Sequence, residues 1–223
     1  MIAMSKPPHK FFDKIIDNDL DSLFDYLADD QKKMVAGQRD FIPKEELVGV
    51  DEDHGPSTQL AHHYNIFDKN TYSHPGLDKL KDTLRDLVFE ASAYYGIDFN
   101  EQNYAIKGWY NLDKKMLPGT KEQWLAANPD KSSVKMNLHD HMGGQGAPVF
   151  HGYYCVNAEP SVTFYQIDRV KDFDNVNINN RAIVSETGHP HTRDLWWSEK
   201  SRITIAYDIC PKSLGVDSLW VEL

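Results

Sequence analysis

Residues 202–209 read Arg-Ile-Thr-Ile-Ala-Tyr-Asp-Ile. Successive side chains of a strand point to opposite faces, so this segment sorts itself into two. Ile203, Ile205, Tyr207 and Ile209 fall on one face; Arg202, Thr204, Ala206 and Asp208 fall on the other. The apolar face predicts a cover of helices. The polar face, with an arginine beside a threonine, faces something else, and a polar interior surface is costly unless it binds a ligand.

Working back from that strand, the same period of two recurs from about residue 103. It predicts strands near 104–111, 133–141, 151–157, 161–167 and 181–186. Turn-rich pieces separate them: Leu117-Pro118-Gly119, Gly143 to Gly146, Ala158-Glu159-Pro160 and Asp172 to Asn180. Residues 112–132 read as an insertion between two strands. Several short strands in series indicate a sandwich or barrel.

The first hundred residues follow a different rule. Lys10 to Ile16 suits a short edge strand. Asn18 or Asp19 can cap a helix carrying Leu20, Leu23, Phe24 and Leu27 at helical spacing. Residues 36–75 lack periodicity and read as loop and turns. Pro75-Gly76 then opens a long helix whose Leu77, Leu80, Leu84, Leu87, Val88 and Ala91 share one face, with Gly96 as its stop. The expectation is an α+β chain organised as one domain: a mostly helical part over 1–102, a β core over 103–212 and a tail over 213–223.

Composition bounds the function. The chain has 223 residues, 40% of them hydrophobic and 12% aromatic, enough for folding to bury roughly 70% of the unfolded surface. Acidic residues outnumber basic ones 34 to 24, for a net charge of −10, and the bases are scattered among acids. That argues against nucleic acid as a partner. No apolar run is long enough to span a membrane, and the N-terminus lacks the apolar core of a secretory leader. The two cysteines, Cys155 and Cys210, lie in apolar stretches and fit no zinc spacing, so a cytoplasmic location with buried thiols is expected.

Ten histidines are present, and five cluster late: His139, His141, His151, His189 and His191. His139 and His141 sit at i and i+2 in VKMNLHDHMGG, on one strand face with Asn137; two imidazoles so placed make a natural metal pair, although two surface histidines at a strand end would look the same. His189-Pro190-His191 follows some way on. Eleven residues past His191 comes Arg202, whose planar fork suits a carboxylate, with the Thr204 hydroxyl beside it.

In that order these motifs resemble the 2-oxoglutarate/Fe(II)-dependent oxygenase superfamily, in its prolyl-hydroxylase-like branch. HDHMGGQGAPVFHGYYCVN (139–157) is similar to the metal-motif segment and the strand after it; GHPHTRDLWWSEKSRITIAYDI (188–209) is similar to the C-terminal signature. The resemblance covers about residues 103–210 and is strongest toward bacterial and phage oxygenases that also carry HxH, which implies a cytoplasmic enzyme, of bacterial origin or phage-encoded and acting in the host cytoplasm. It implies a double-stranded β-helix, a jelly-roll-like barrel, with helices on one outer face. It implies Fe(II) on His139, His141 and His191, with His189 the alternative to His191, and 2-oxoglutarate as cosubstrate held by Arg202 and Thr204. Most members have an acid where His141 stands, and a few hydroxylases manage with two histidines, so His141 is either the third ligand or a neighbour of the metal. Several relatives place a cosubstrate-binding tyrosine at the Cys155 position; Tyr153 and Asn111 are the candidate replacements. His151, where relatives often have serine, and Trp197 of the Trp196-Trp197 pair are candidates for the substrate pocket. The implied activity is a dioxygenase consuming O2, oxidising an unidentified substrate, a protein side chain or a small metabolite, and releasing succinate and CO2. Two other readings fit the same histidines: a cupin-like three-histidine metalloenzyme that does not use 2-oxoglutarate, and a non-catalytic β-sandwich binding module.

Overall fold

A computed structural model of the chain describes residues 7–48, 50, 55–100, 103–115, 117–129, 138–141 and 149–223. Two antiparallel sheets carry the architecture. The larger contains β1 (Phe12–Ile15), β6 (Arg181–Glu186), β3 (Phe150–Asn157), β8 (Arg202–Pro211), β2 (Tyr104–Asp113) and β9 (Val221–Glu222), in that spatial order. The smaller contains β5 (Lys171–Val176), β4 (Val162–Ile167) and β7 (His191–Arg193).

Strand β8 divides as its sequence demands. Ile203, Ile205, Tyr207 and Ile209 are fully buried and join one core with residues of α1 (Leu20–Val35) and α3 (Pro75–Tyr95). Helix α1 starts where Asp19 accepts a hydrogen bond from the Ser22 amide, and runs a turn and more past Leu27 to Val35. Helix α3 opens on Pro75, buries Leu80, Leu84, Leu87 and Val88 against the sheet and stops at Gly96 in the left-handed region. Each fully buried leucine or valine is worth about 1.5–3 kcal/mol, which fixes the two helices to the outer face of the large sheet.

Close approach within that sheet has one tight point. A Cβ on Gly152 of β3 would lie 1.8 Å from the Ile183 carbonyl oxygen and 2.7 Å from the Tyr207 ring. The Tyr207 hydroxyl fills the same place, donating toward the Tyr153 and Ile183 carbonyls at 3.0 and 2.8 Å.

Four segments differ from the sequence expectation, one of them the short strand β7, which the pattern did not mark. Residues 171–176, read as part of a turn, form β5. It is an edge strand paired only with β4, mostly exposed and polar, so no apolar alternation marks it. The tail does not hang free: β9 pairs with β2. The insertion after β2 contains a short helix, α4 (Lys121–Ala127), started by a capping box between Thr120 and Gln123. The expected strand at 133–141 falls largely outside the described residues; His139 within it forms an isolated antiparallel bridge with His191. Asn137 and the Gly143 to Gly146 turn also lie outside them. Between the described residues 55 and 59, one further turn of helix, α2 (Pro56–Gln59), packs on β2.

Candidate active site

A cavity of about 470 Å3 lies between the two sheets. The polar face of β8 forms one wall through Arg202, Thr204 and Ala206, and β7 forms the facing wall through His191 and Arg193.

At one end three imidazoles converge. The backbones of His139 and His191 exchange two hydrogen bonds, His139 N–H to His191 O at 3.0 Å and His191 N–H to His139 O at 2.8 Å. That bridge brings their rings to 4.5 Å between centroids, and the His141 ring is 5.0 Å from His191. One ring nitrogen from each of His139, His141 and His191 falls within 4.8 Å of the others. The i, i+2 spacing of His139 and His141 delivers both rings to one place, as a strand should.

Their protonation is set by surroundings. Burial, then the neighbouring His141 and His139, push the His191 pKa down to about 3, so its ring is neutral. Burial also lowers the pKa of His141, but a 2.6 Å hydrogen bond from Nδ1 to Asp208 Oδ1 and the Asp208 charge outweigh it, and the net shift is upward. That bond occupies Nδ1 and leaves Nε2 for the cluster. Trp109 stacks on His141 and Tyr165 on His191, holding the rings from outside. His151 stands 4.8 Å from His191 and contacts Ser185 Oγ at 3.0 Å; burial and then the nearby histidines keep it neutral.

At the β8 start, six residues along the strand from Asp208, sits Arg202, 2% exposed. Its Nη1 is 3.4 Å from both Asp113 Oδ2 and Thr204 Oγ1, long for hydrogen bonds, and its Nε has no partner among the described residues. Asn111 links this region to α2: it accepts from Thr58 Oγ1 at 2.7 Å and reaches Thr204 Oγ1 at 3.4 Å. Tyr153 lines the cavity with a buried ring, in a small cluster with Cys155, Tyr165 and Ile183.

Of the residues singled out in the sequence, His139, His141, His151, His191, Asn111, Tyr153, Arg202 and Thr204 all line this one cavity. Trp197 does not; it lies against Trp124 of α4, with ring centroids 6.4 Å apart. His189 points elsewhere, its Nδ1 accepting from the Asp168 amide at 3.0 Å and its ring 4.1 Å from that of His9. Three charged residues of the site were not anticipated: Asp208, Asp113 and Arg193. Asp113 and Arg193 lie outside the strands that the sequence pattern marks, and Asp208, on the marked polar face of β8, gains its role only from contact with His141.

The donors fit a divalent metal of the iron group: three imidazoles, two with one ring nitrogen already engaged by a hydrogen bond. The unpartnered Nε of buried Arg202 fits a carboxylate.

No protein-family profile matches the sequence, and no curated protein matches it. Solved structures do match. A Pseudomonas putida prolyl-4-hydroxylase superposes with a TM-score of 0.51 at 9% identity, over 91% of this chain and 93% of that one. A Trichoplax adhaerens prolyl hydroxylase, solved with a hypoxia-inducible-factor peptide, gives 0.50 at 11% identity, over 91% and 85%. SnoN, a non-heme α-ketoglutarate-dependent epimerase of nogalamycin biosynthesis, gives 0.50 at 9% identity, over 95% and 84%. The chain therefore shares its overall fold with these three proteins. Among the described residues no helix is long and apolar enough to cross a membrane.

Proposed function

We propose that this chain is an Fe(II)- and 2-oxoglutarate-dependent dioxygenase, a hydroxylase of a protein side chain or a small metabolite, built on a double-stranded β-helix. The observation that carries the proposal is the pairing of two sites in one cavity: three converging imidazoles at one end and, at the other, a buried arginine with a donor unpartnered among the described residues. His139, His141 and His191 would hold the metal. Arg202, with Thr204, would hold the distal carboxylate of 2-oxoglutarate, and Asn111 and Tyr153 would line its slot. When bound, iron and 2-oxoglutarate together supply the oxidation of a substrate C–H bond by O2, with succinate and CO2 as by-products.

The chain's own residues do the rest. Asp208 orients His141 and fixes its tautomer. Neutral His191 and His151 present no positive charge to repel a cation. Tyr153 and Trp109 line the cavity with their rings, and Tyr165 stacks on His191. No side chain is needed as a general base. The acidic surface favours a neutral or cationic substrate over nucleic acid, and two buried cysteine thiols suit a reducing cytoplasm.

The donor set of three histidines would also suit a cupin-like enzyme that binds its substrate directly on the metal, but such an enzyme has no use for Arg202. One experiment separates the two. Anaerobic addition of Fe(II) and then 2-oxoglutarate should produce a weak visible charge-transfer band, because that band needs metal and keto acid in one site. Iron binding with no such band would sink the oxygenase reading.

A further inference from the structure

Asp113 ends β2 and is fully buried, directly across the ladder from Arg202. A buried carboxylate facing a buried guanidinium ordinarily forms a close two-pronged pair. Here it does not: Arg202 reaches Asp113 only at 3.4 Å. The closer partner of Asp113 is Arg193, whose Nη2 donates to Oδ1. Arg193 comes from the other sheet. It lies two residues past His191 on β7, on the same face, and stretches across the cavity to β2. Two arginines therefore share one aspartate, and the one left with long contacts and an idle Nε is the more buried of the two.

We infer that Arg193 is a positioning residue for the carboxylate site: by engaging Asp113 it keeps that carboxylate off Arg202, so that Arg202 is left to take the carboxylate of 2-oxoglutarate. The inference rests on the cosubstrate reading above. It follows from charge count at close quarters. With Arg193 present, the trio carries one net positive charge, and a carboxylate completes it. Without Arg193, Asp113 and Arg202 neutralise one another, and an incoming anion must displace a buried carboxylate before it can bind.

The test is a double-mutant cycle read by calorimetric binding of 2-oxoglutarate to the Mn(II)-loaded protein, which needs no turnover. Arg193→Gln should weaken 2-oxoglutarate binding about 10-fold or more, the weight of one charge-assisted contact, with Mn(II) affinity unchanged. Adding Asp113→Asn to that variant removes the competitor and should restore binding to within about threefold of the parent, a coupling that independent sites do not show. Arg193→Lys keeps a cation on Asp113 and should bind nearly as the parent does. Should Arg193→Gln fail to fold, the Lys variant and Asp113→Asn alone carry the test: both should bind 2-oxoglutarate at least about as well as the parent within the same threefold margin. The inference is overturned if Arg193→Gln binds normally, if the double variant stays as weak as Arg193→Gln, or if Arg193→Lys or Asp113→Asn loses binding. A parent that binds Mn(II) but no 2-oxoglutarate would instead remove the cosubstrate reading itself, and this inference with it.

Discussion

His141 Nδ1 and Asp208 Oδ1 stand 2.6 Å apart, joining the segment that carries two of the three clustered histidines to the polar face of β8. The polar face of β8 thus places an acid one side chain out from His141 and couples it to the imidazole. A carboxylate so placed fixes the tautomer and raises the basicity of the ring nitrogen that remains free. Asp208→Asn should therefore weaken Mn(II) or Fe(II) binding by about 10- to 100-fold in a competition titration. It also removes the cause of the raised His141 pKa. A proton must leave His141 before a metal can bind there, so the pH below which metal is lost should fall in the Asn variant even as peak affinity drops. An Asn variant that matches the parent in both affinity and pH midpoint would leave the pair without a role in metal binding.

Single alanine substitutions of His139 and His191 should each abolish stoichiometric metal binding. His141→Ala should weaken it, while His141→Asp, which supplies a carboxylate directly, should retain it. Equilibrium dialysis with metal analysis decides this. Full iron occupancy in His141→Ala would show that His141 stands beside the metal rather than on it.

Arg202→Ala should cost about 1.5–3 kcal/mol of 2-oxoglutarate binding, roughly 10- to 100-fold, because a charged contact is lost. Arg202→Lys should recover only part, since an ammonium lacks the planar fork. Metal binding should be untouched in both. Undiminished 2-oxoglutarate binding by the Ala variant would move the anchor elsewhere.

Gly152→Ala should be strongly destabilising. Its Cβ would collide with the backbone oxygen of Ile183, which belongs to the paired strand and cannot swing aside. We expect the variant to be largely insoluble or to melt far below the parent. A melting temperature within a degree or two of the parent would mean that β3 and β6 separate more easily than their ladder suggests.

The legible parts of this protein were those with a period. The alternation in β8 announced both the helix-covered face and the cavity-facing one, and the i, i+2 histidines announced the cluster. What stayed hidden had either no pattern or no partner in view. Strand β5 is polar and held on one side only, so its residues obey the surface and not the core. Asp208 was visible on the polar face of its strand, but its meaning depends on His141, 67 positions earlier, and no rule of spacing joins them. Asp113 and Arg193 are likewise 80 positions apart and meet only because two different sheets close on one cavity.

The reciprocal backbone bonds between His139 and His191 have a thermodynamic side. They tie together two points of the chain separated by the whole of β3, β4, β5 and β6. A metal bridging the same two side chains would be a reversible cross-link over that loop, present in the native state and absent from the unfolded chain. Ligand linkage then makes melting temperature a function of free metal: about 2.7 kcal/mol is gained at a concentration 100 times the dissociation constant. That bridge joins β7 to the segment around His139, so a chelator should loosen these two first, with faster amide exchange there than in the helix-backed sheet.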